Sequence, residues 1–156
     1  MKKIWIFVGS HLTASIIGFA AGIYALPLLT AQTGASDAEI RAVRATAHSV
    51  GNFKRGLPGS DPLHWAQGTV VIADDAIAFE GDVAPGPDYK VYLAPEFVDT
   101  KEKFLAAKSH SVRVGDLKTF GNFVMKLPRD IAIDQYTTVV IWCERFSQFI
   151  SAAQYH

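Results

Sequence analysis

Residues 4–29, IWIFVGSHLTASIIGFAAGIYALPLL, carry no formal charge and follow directly on Lys2 and Lys3. As a helix this run would extend roughly 39 Å, more than the roughly 30 Å hydrocarbon core of a bilayer. It is long enough to span. A cleaved signal peptide has a shorter apolar core and a small-x-small cleavage site, which Leu29-Thr30-Ala31 fits poorly and Thr33-Gly34-Ala35 only in part. Residues 1–29 therefore read as an uncleaved signal anchor in the lipid bilayer, with cleavage as the alternative. Lys2 and Lys3 hold the amino end in the cytoplasm, which places the chain after Leu29 on the periplasmic or extracellular side. Within the run, Ser10, Ala14, Gly18 and Gly22 recur every four residues. A Gly18-x-x-x-Gly22 step lets two helices approach closely, so a homodimer through Gly18 and Gly22 is an expectation. His11 reads as an interfacial residue near the cytoplasmic end.

The chain of 156 residues balances 15 Lys+Arg against 15 Asp+Glu, and without Lys2 and Lys3 the remainder is slightly acidic. Its basic residues are scattered, so nothing supplies the field that nucleic acid would need. A single cysteine excludes an intrachain disulfide and any multi-cysteine metal cluster. Residues 30–50 read as a linker and a short amphipathic helix. Ser36-Asp37-Ala38-Glu39 has the form of a capping box, and Ile40, Val43, Ala47 and Val50 come after it at helical spacing. The spacing predicts a helix over 37–50, docked on the domain or acting as a stalk.

From residue 51 the pattern changes. Runs at 68–73, 76–79, 89–94, 111–114, 122–127, 137–144 and 148–152 are short, β-branched or aromatic, and separated by Gly, Pro and Asp. Residues 51–156 are accordingly expected to form an all-β domain, a sandwich or a barrel, with only 100–107 helical. Asp74-Asp75 could close a hairpin. There is no Gly-rich phosphate loop, no Gly-x-Ser-x-Gly and no His-Glu-x-x-His, so the familiar enzyme signatures are absent and enzyme status stays open.

Chemistry concentrates in the late strand. Alternation puts Val139, Ile141, Cys143 and Arg145 on one face and Val140, Trp142, Glu144 and Phe146 on the other. Both faces begin apolar and end polar, which suits a central strand leaving the core near Cys143. The thiol is then a candidate redox group at the margin of the core, with Arg145 positioned to favour its thiolate. The alternative is a small buried hydrophobe. His64, in Pro62-Leu63-His64-Trp65, could ligate a metal or pair with the thiolate, or it could be a loop histidine bonded to backbone. His48, His110 and His156 form no constellation. In Gly86-Pro87-Asp88, Pro87 fixes its own φ and the Asp88 carboxylate can cap nearby N–H groups, a turn role first. Trp65 and Trp142 could carry electrons or stack on a ligand, although large aromatics in a β core normally pack.

The order Gly51-x-Phe53, His64-x-x-x-Gly68-x-Val70, Gly86-Pro87-Asp88 before Val91-Tyr92-Leu93, Asp116-Leu117-Lys118, Gly121-Asn122, Leu127-Pro128, Tyr136, Val140-Ile141-Trp142-Cys143 and Phe146 resembles the electron-transfer DM-thirteen domain family, here in a membrane-anchored, bacterial form. The resemblance covers approximately residues 51–154. It implies a β-sandwich-like module with a redox role centred on the cysteine of the Trp-Cys pair, here Cys143, with haem or a metal as conceivable cofactors and an envelope redox protein as partner. The competing expectation is a non-enzymatic envelope binding or scaffold domain in which the cysteine is only structural.

Overall fold

The computed structural model describes residues 2–156. A long helix, α1 (Lys2–Leu29), precedes a two-layer β-sandwich and has no buried residue. It is long and apolar enough to cross a membrane. The linker after it lies along the domain, with Gln32 N–H donating to Lys118 O at 2.8 Å and Ala35 N–H to Asn122 O at 2.9 Å.

Helix α2 (Asp37–Thr46) starts on the expected capping box: Ser36 caps Glu39 N–H, and the Glu39 carboxylate returns to Ser36 N–H at 2.8 Å. It stops four residues earlier than the sequence suggests, because Ala47 turns to an extended conformation and Ser49 opens a strand. The apolar stripe is misleading at its end, since Val50 belongs to that strand and points outward, half exposed. Ile40 and Val43 pack on Val71, Ala78 and Val124, so α2 is docked on the domain.

One sheet has the order β1 (Ser49–Phe53), β2 (Ala66–Ile72), β3 (Ala76–Val83), β6 (Phe123–Lys126); the other has β5 (Val112–Leu117), β4 (Tyr89–Ala94), β7 (Thr138–Cys143), β8 (Gln148–Gln154). Every pairing is antiparallel. The seven expected runs are all strands, and β1 is an eighth. The β2–β3 hairpin closes at Asp74-Asp75, where Ala73 N–H donates to Ala76 O at 2.9 Å.

Between the sheets, Val70, Ile72, Ile77 and Phe79 face Val91, Leu93, Val139, Ile141 and Ile150. Phe79 meets Phe53 edge-on and stacks on Phe123 at 4.9 Å. A second apolar layer lies outside the other sheet, where α3 (Lys101–Ala107) sets Phe104 and Ala107 on Tyr92, Val140, Trp142 and Phe149. Strand β7 thus has apolar cover on both faces, which is why its sequence runs apolar without a break until Cys143.

One expectation fails at the end of that strand. The alternating pattern extends through Phe146, but β7 ends at Cys143, and residues 144–147 turn back into β8. Ser147 takes a positive φ of 46° and donates its N–H to Glu144 O at 3.2 Å. Arg145 therefore sits in a turn and not on the strand face of Cys143.

Candidate thiol cavity at the end of the sandwich

Cys143 lies opposite Tyr89 in the β4–β7 register, so the two side chains share one face at the end of the interior strands. The cysteine is 2% exposed. Its thiol has polar company: Sγ donates to Pro87 O at 2.9 Å. Burial pushes the thiol's pKa up. The N–H groups of Phe146 and Arg145 act in the opposite direction without overcoming it, and the Asp88 charge adds to the rise. The site favours a thiol over a thiolate, the reverse of what Arg145 alone would do.

Beside the sulfur is a cavity of about 120 Å³, lined by Leu63, His64, Pro85, Gly86, Pro87, Tyr89, Cys143 and Phe146, with Ile23 and Tyr24 of α1 at one side. Cys143 and His64, singled out separately along the chain, thus share one cavity. His64 Nδ1 is 2.8 Å from Asp61 Oδ2. The other Asp61 oxygen accepts the N–H groups of Leu63 at 2.7 Å and His64 at 2.9 Å. Burial alone would raise the Asp61 pKa, but the bonds from His64 and Leu63 outweigh it and hold the carboxyl below its ordinary value. With Nδ1 facing a carboxylate, Nε2 is left as the acceptor nitrogen of a neutral ring. The expected backbone bond to the ring is replaced by this side-chain pair.

Asp61 and Tyr89 were missed in the sequence. Asp61 had a readable signal, since an Asp-Pro-x-His run lets the carboxylate bond backbone two and three residues on. Tyr89 had none, being one more aromatic in an apolar strand. Its hydroxyl lies against Gly86, where a Cβ would come within 2.2 Å. Burial, with Cys143, Tyr24 and Asp61 facing it, raises the phenol pKa above its ordinary value.

The other candidates lie apart from the thiol cavity. Arg145 lines the adjoining groove with Asp88, Lys90 and Asp116. Asp88 does hold a turn, with φ at 61°, but through different atoms than expected. Its carbonyl accepts Glu144 N–H at 3.1 Å, and its carboxylate pairs with Lys90 Nζ at 2.7 Å. Trp142 points to the other face of β7, packed against Phe104 at 4.9 Å. There Glu144 accepts from Tyr92 and, at 2.7 Å, from Lys108.

Among the described residues, no group of three or more His, Cys, Asp or Glu could hold a metal ion. Haem does not fit the thiol cavity either. An apolar cavity of roughly 150 Å³ takes benzene, and about 120 Å³ here cannot take a tetrapyrrole.

The raised thiol pKa has a measurable sign. Iodoacetamide alkylation of Cys143 in the folded chain is expected to titrate with a midpoint above the roughly 8.5 of a free thiol. A midpoint at or below that value would mean that the N–H groups of Phe146 and Arg145 prevail over burial. By linkage, the thiol's contribution to stability is full below the ordinary thiol pKa and is lost as pH rises through the raised one.

The family model described as Electron transfer DM13 matches residues 59–155, a span that holds the thiol, its opposite tyrosine and the His64–Asp61 pair. No curated protein and no solved structure was found to match. With well over half of its length inside that match and an eight-stranded sandwich around it, the chain belongs to the electron transfer DM13 family.

Proposed function

We propose that this chain is a membrane-tethered electron-transfer module whose β domain lies on the outer side of the membrane and whose redox group is the Cys143 thiol. The observation that carries this reading is the cavity that Cys143 shares with His64, since a buried thiol needs both an entry path and a nearby base to react. His64 Nε2 receives the thiol proton, and Asp61 steadies the ring through Nδ1 and stabilises the imidazolium that forms. The rim is open: Leu63 and Phe146 are both more than half exposed. Lys2 and Lys3 before the apolar helix support the outward orientation.

Hydrogen peroxide tests the thiol directly. It transfers an oxygen to sulfur, giving a sulfenic acid and water, and dimedone traps the product for mass spectrometry. The folded full chain in detergent is expected to be trapped at Cys143. His64→Gln should slow trapping at neutral pH by about a hundredfold, at the low end for removal of a general base. A thiol that reacts only after unfolding would overturn the reading.

One observation favours a second reading, a non-enzymatic envelope scaffold. The bond from Sγ to Pro87 O ties β7 to the turn before β4, a purely structural role. Under that reading Cys143→Ser, whose hydroxyl can keep the bond, leaves both the fold and the phenotype intact.

A further inference from the structure

The thiol cavity has features that electron transfer as such does not require. Its size is that of a single ring. Tyr89, 2% exposed, presents a hydroxyl that makes no hydrogen bond among the described residues, and it lies against Gly86 in the cavity wall. The oxygen is not sealed off from solvent, so it stands as a donor open to the cavity that a ligand oxygen can accept from. The rim is apolar, with Leu63 at 58% and Phe146 at 53% exposure. Both are large hydrophobics that the domain leaves uncovered.

The remaining side of the cavity is α1 itself. Counted from Ile4 at 1.5 Å per residue, a core of roughly 30 Å ends about twenty residues on, near Ile23 and Tyr24. Those are the two α1 residues at the cavity. A tyrosine at that depth suits the aromatic belt of a bilayer surface. With the hydrocarbon counted from Ile4, the opening falls near its edge on the domain side, where a ligand dissolved in the bilayer would reach it without crossing water.

We infer that the cavity binds the ring of a lipophilic quinone, one carbonyl oxygen accepting from Tyr89 beside Cys143, with the tail running along Ile23 and Tyr24 into the bilayer. This inference rests on the membrane and thiol readings above and names the carrier class they leave open. A quinone matches the site on three counts: a flat ring for the volume, carbonyl acceptors for the lone donor, and an apolar tail for the rim.

The test uses the full chain carrying Trp5→Phe, which removes the tryptophan within the apolar helix, in zwitterionic phospholipid vesicles. Decylubiquinone, fully substituted on its ring and so unable to add to the thiol, is titrated while the fluorescence of Trp65 and Trp142, neighbours of His64 and Cys143, is recorded. Saturable quenching is expected, and it should persist in Cys143→Ser, which separates binding from thiol chemistry. Tyr89→Phe should weaken binding about fivefold, the worth of one hydrogen bond. Its thermal midpoint should not fall, because the hydroxyl lost has no protein partner. Quenching that climbs without saturation, or that is the same in Tyr89→Phe, would show mere partitioning into lipid and overturn the inference. If quinone fails while Cys143 is still trapped as sulfenate, the thiol reading stands and this one falls; binding with an inert thiol is the converse.

Discussion

Replacing Gly81 by Ala is expected to destabilise the domain by about 3 kcal/mol or more, through backbone that cannot give way. Gly68 and Gly81 face each other across the β2–β3 ladder, with φ at 148° and 155°. L-residues rarely adopt those angles. A Cβ on Gly81 would lie 2.2 Å from Gln67 O and 2.7 Å from Gly68 Cα, and one on Gly68 would lie 2.3 Å from Glu80 O. All three contacts are with main chain, so no side-chain rotation relieves them. For a domain of this size the loss corresponds to roughly 10 °C or more in the melting temperature, read by calorimetry or circular dichroism. Gly68→Ala should behave similarly, and the double variant should cost less than the sum because both disturb one crossing. Gly115→Ala is the control: its nearest neighbour would be Met125 Sδ at 3.6 Å, an ordinary contact, and its effect should be small. Equal losses at all three sites would mean that general strand propensity, not this crossing, governs the effect.

Trp142→Ala is the second large effect, at about 3–5 kcal/mol for a fully buried indole. The ring is sealed between β7 and α3, 4.9 Å from Phe104 and with Lys108 Nζ 5.4 Å from its centre. Its removal leaves a cavity that Phe104 and Phe149 cannot fill without moving α3. Trp142→Phe retains most of the apolar contact and should cost about half as much or less. The pair of variants also separates packing from electron carriage. If Trp142 only packs, Trp142→Phe keeps the peroxide reaction of Cys143 at its normal rate. A stable Trp142→Phe domain whose thiol oxidation is slowed would instead give the indole a part in the chemistry.

Much of the β domain is readable along the chain because its signals are local. Tyr89–Ala94 and Thr138–Cys143 run apolar with little interruption, as interior strands covered on both faces must. Ser36 and Glu39 mark the start of α2 by a bond spanning three residues. Failures came where one local pattern concealed another. Val50 continued the helical stripe and hid β1, whose central glycine gives no strand signal. The expected run at 76–79 stopped short of Gly81, which lies inside β3 because glycine there serves the close crossing with Gly68. Arg145 was aligned with the thiol by a strand period that had already ended at Cys143.

The sequence by itself determined the long uncharged helix, the balance of charge and the strand-forming stretches, since each depends on neighbours within a few residues. Only the tertiary structure decided what surrounds the sulfur. Ile23 and Tyr24, Leu63 and His64, Gly86, Pro87 and Tyr89, and Cys143 with Phe146 come from four remote parts of the chain. They meet because β4 and β7 pair in one register and the β2 approach and the end of α1 lie across their tips. No periodicity encodes such a meeting, because it depends on which strand lies beside which.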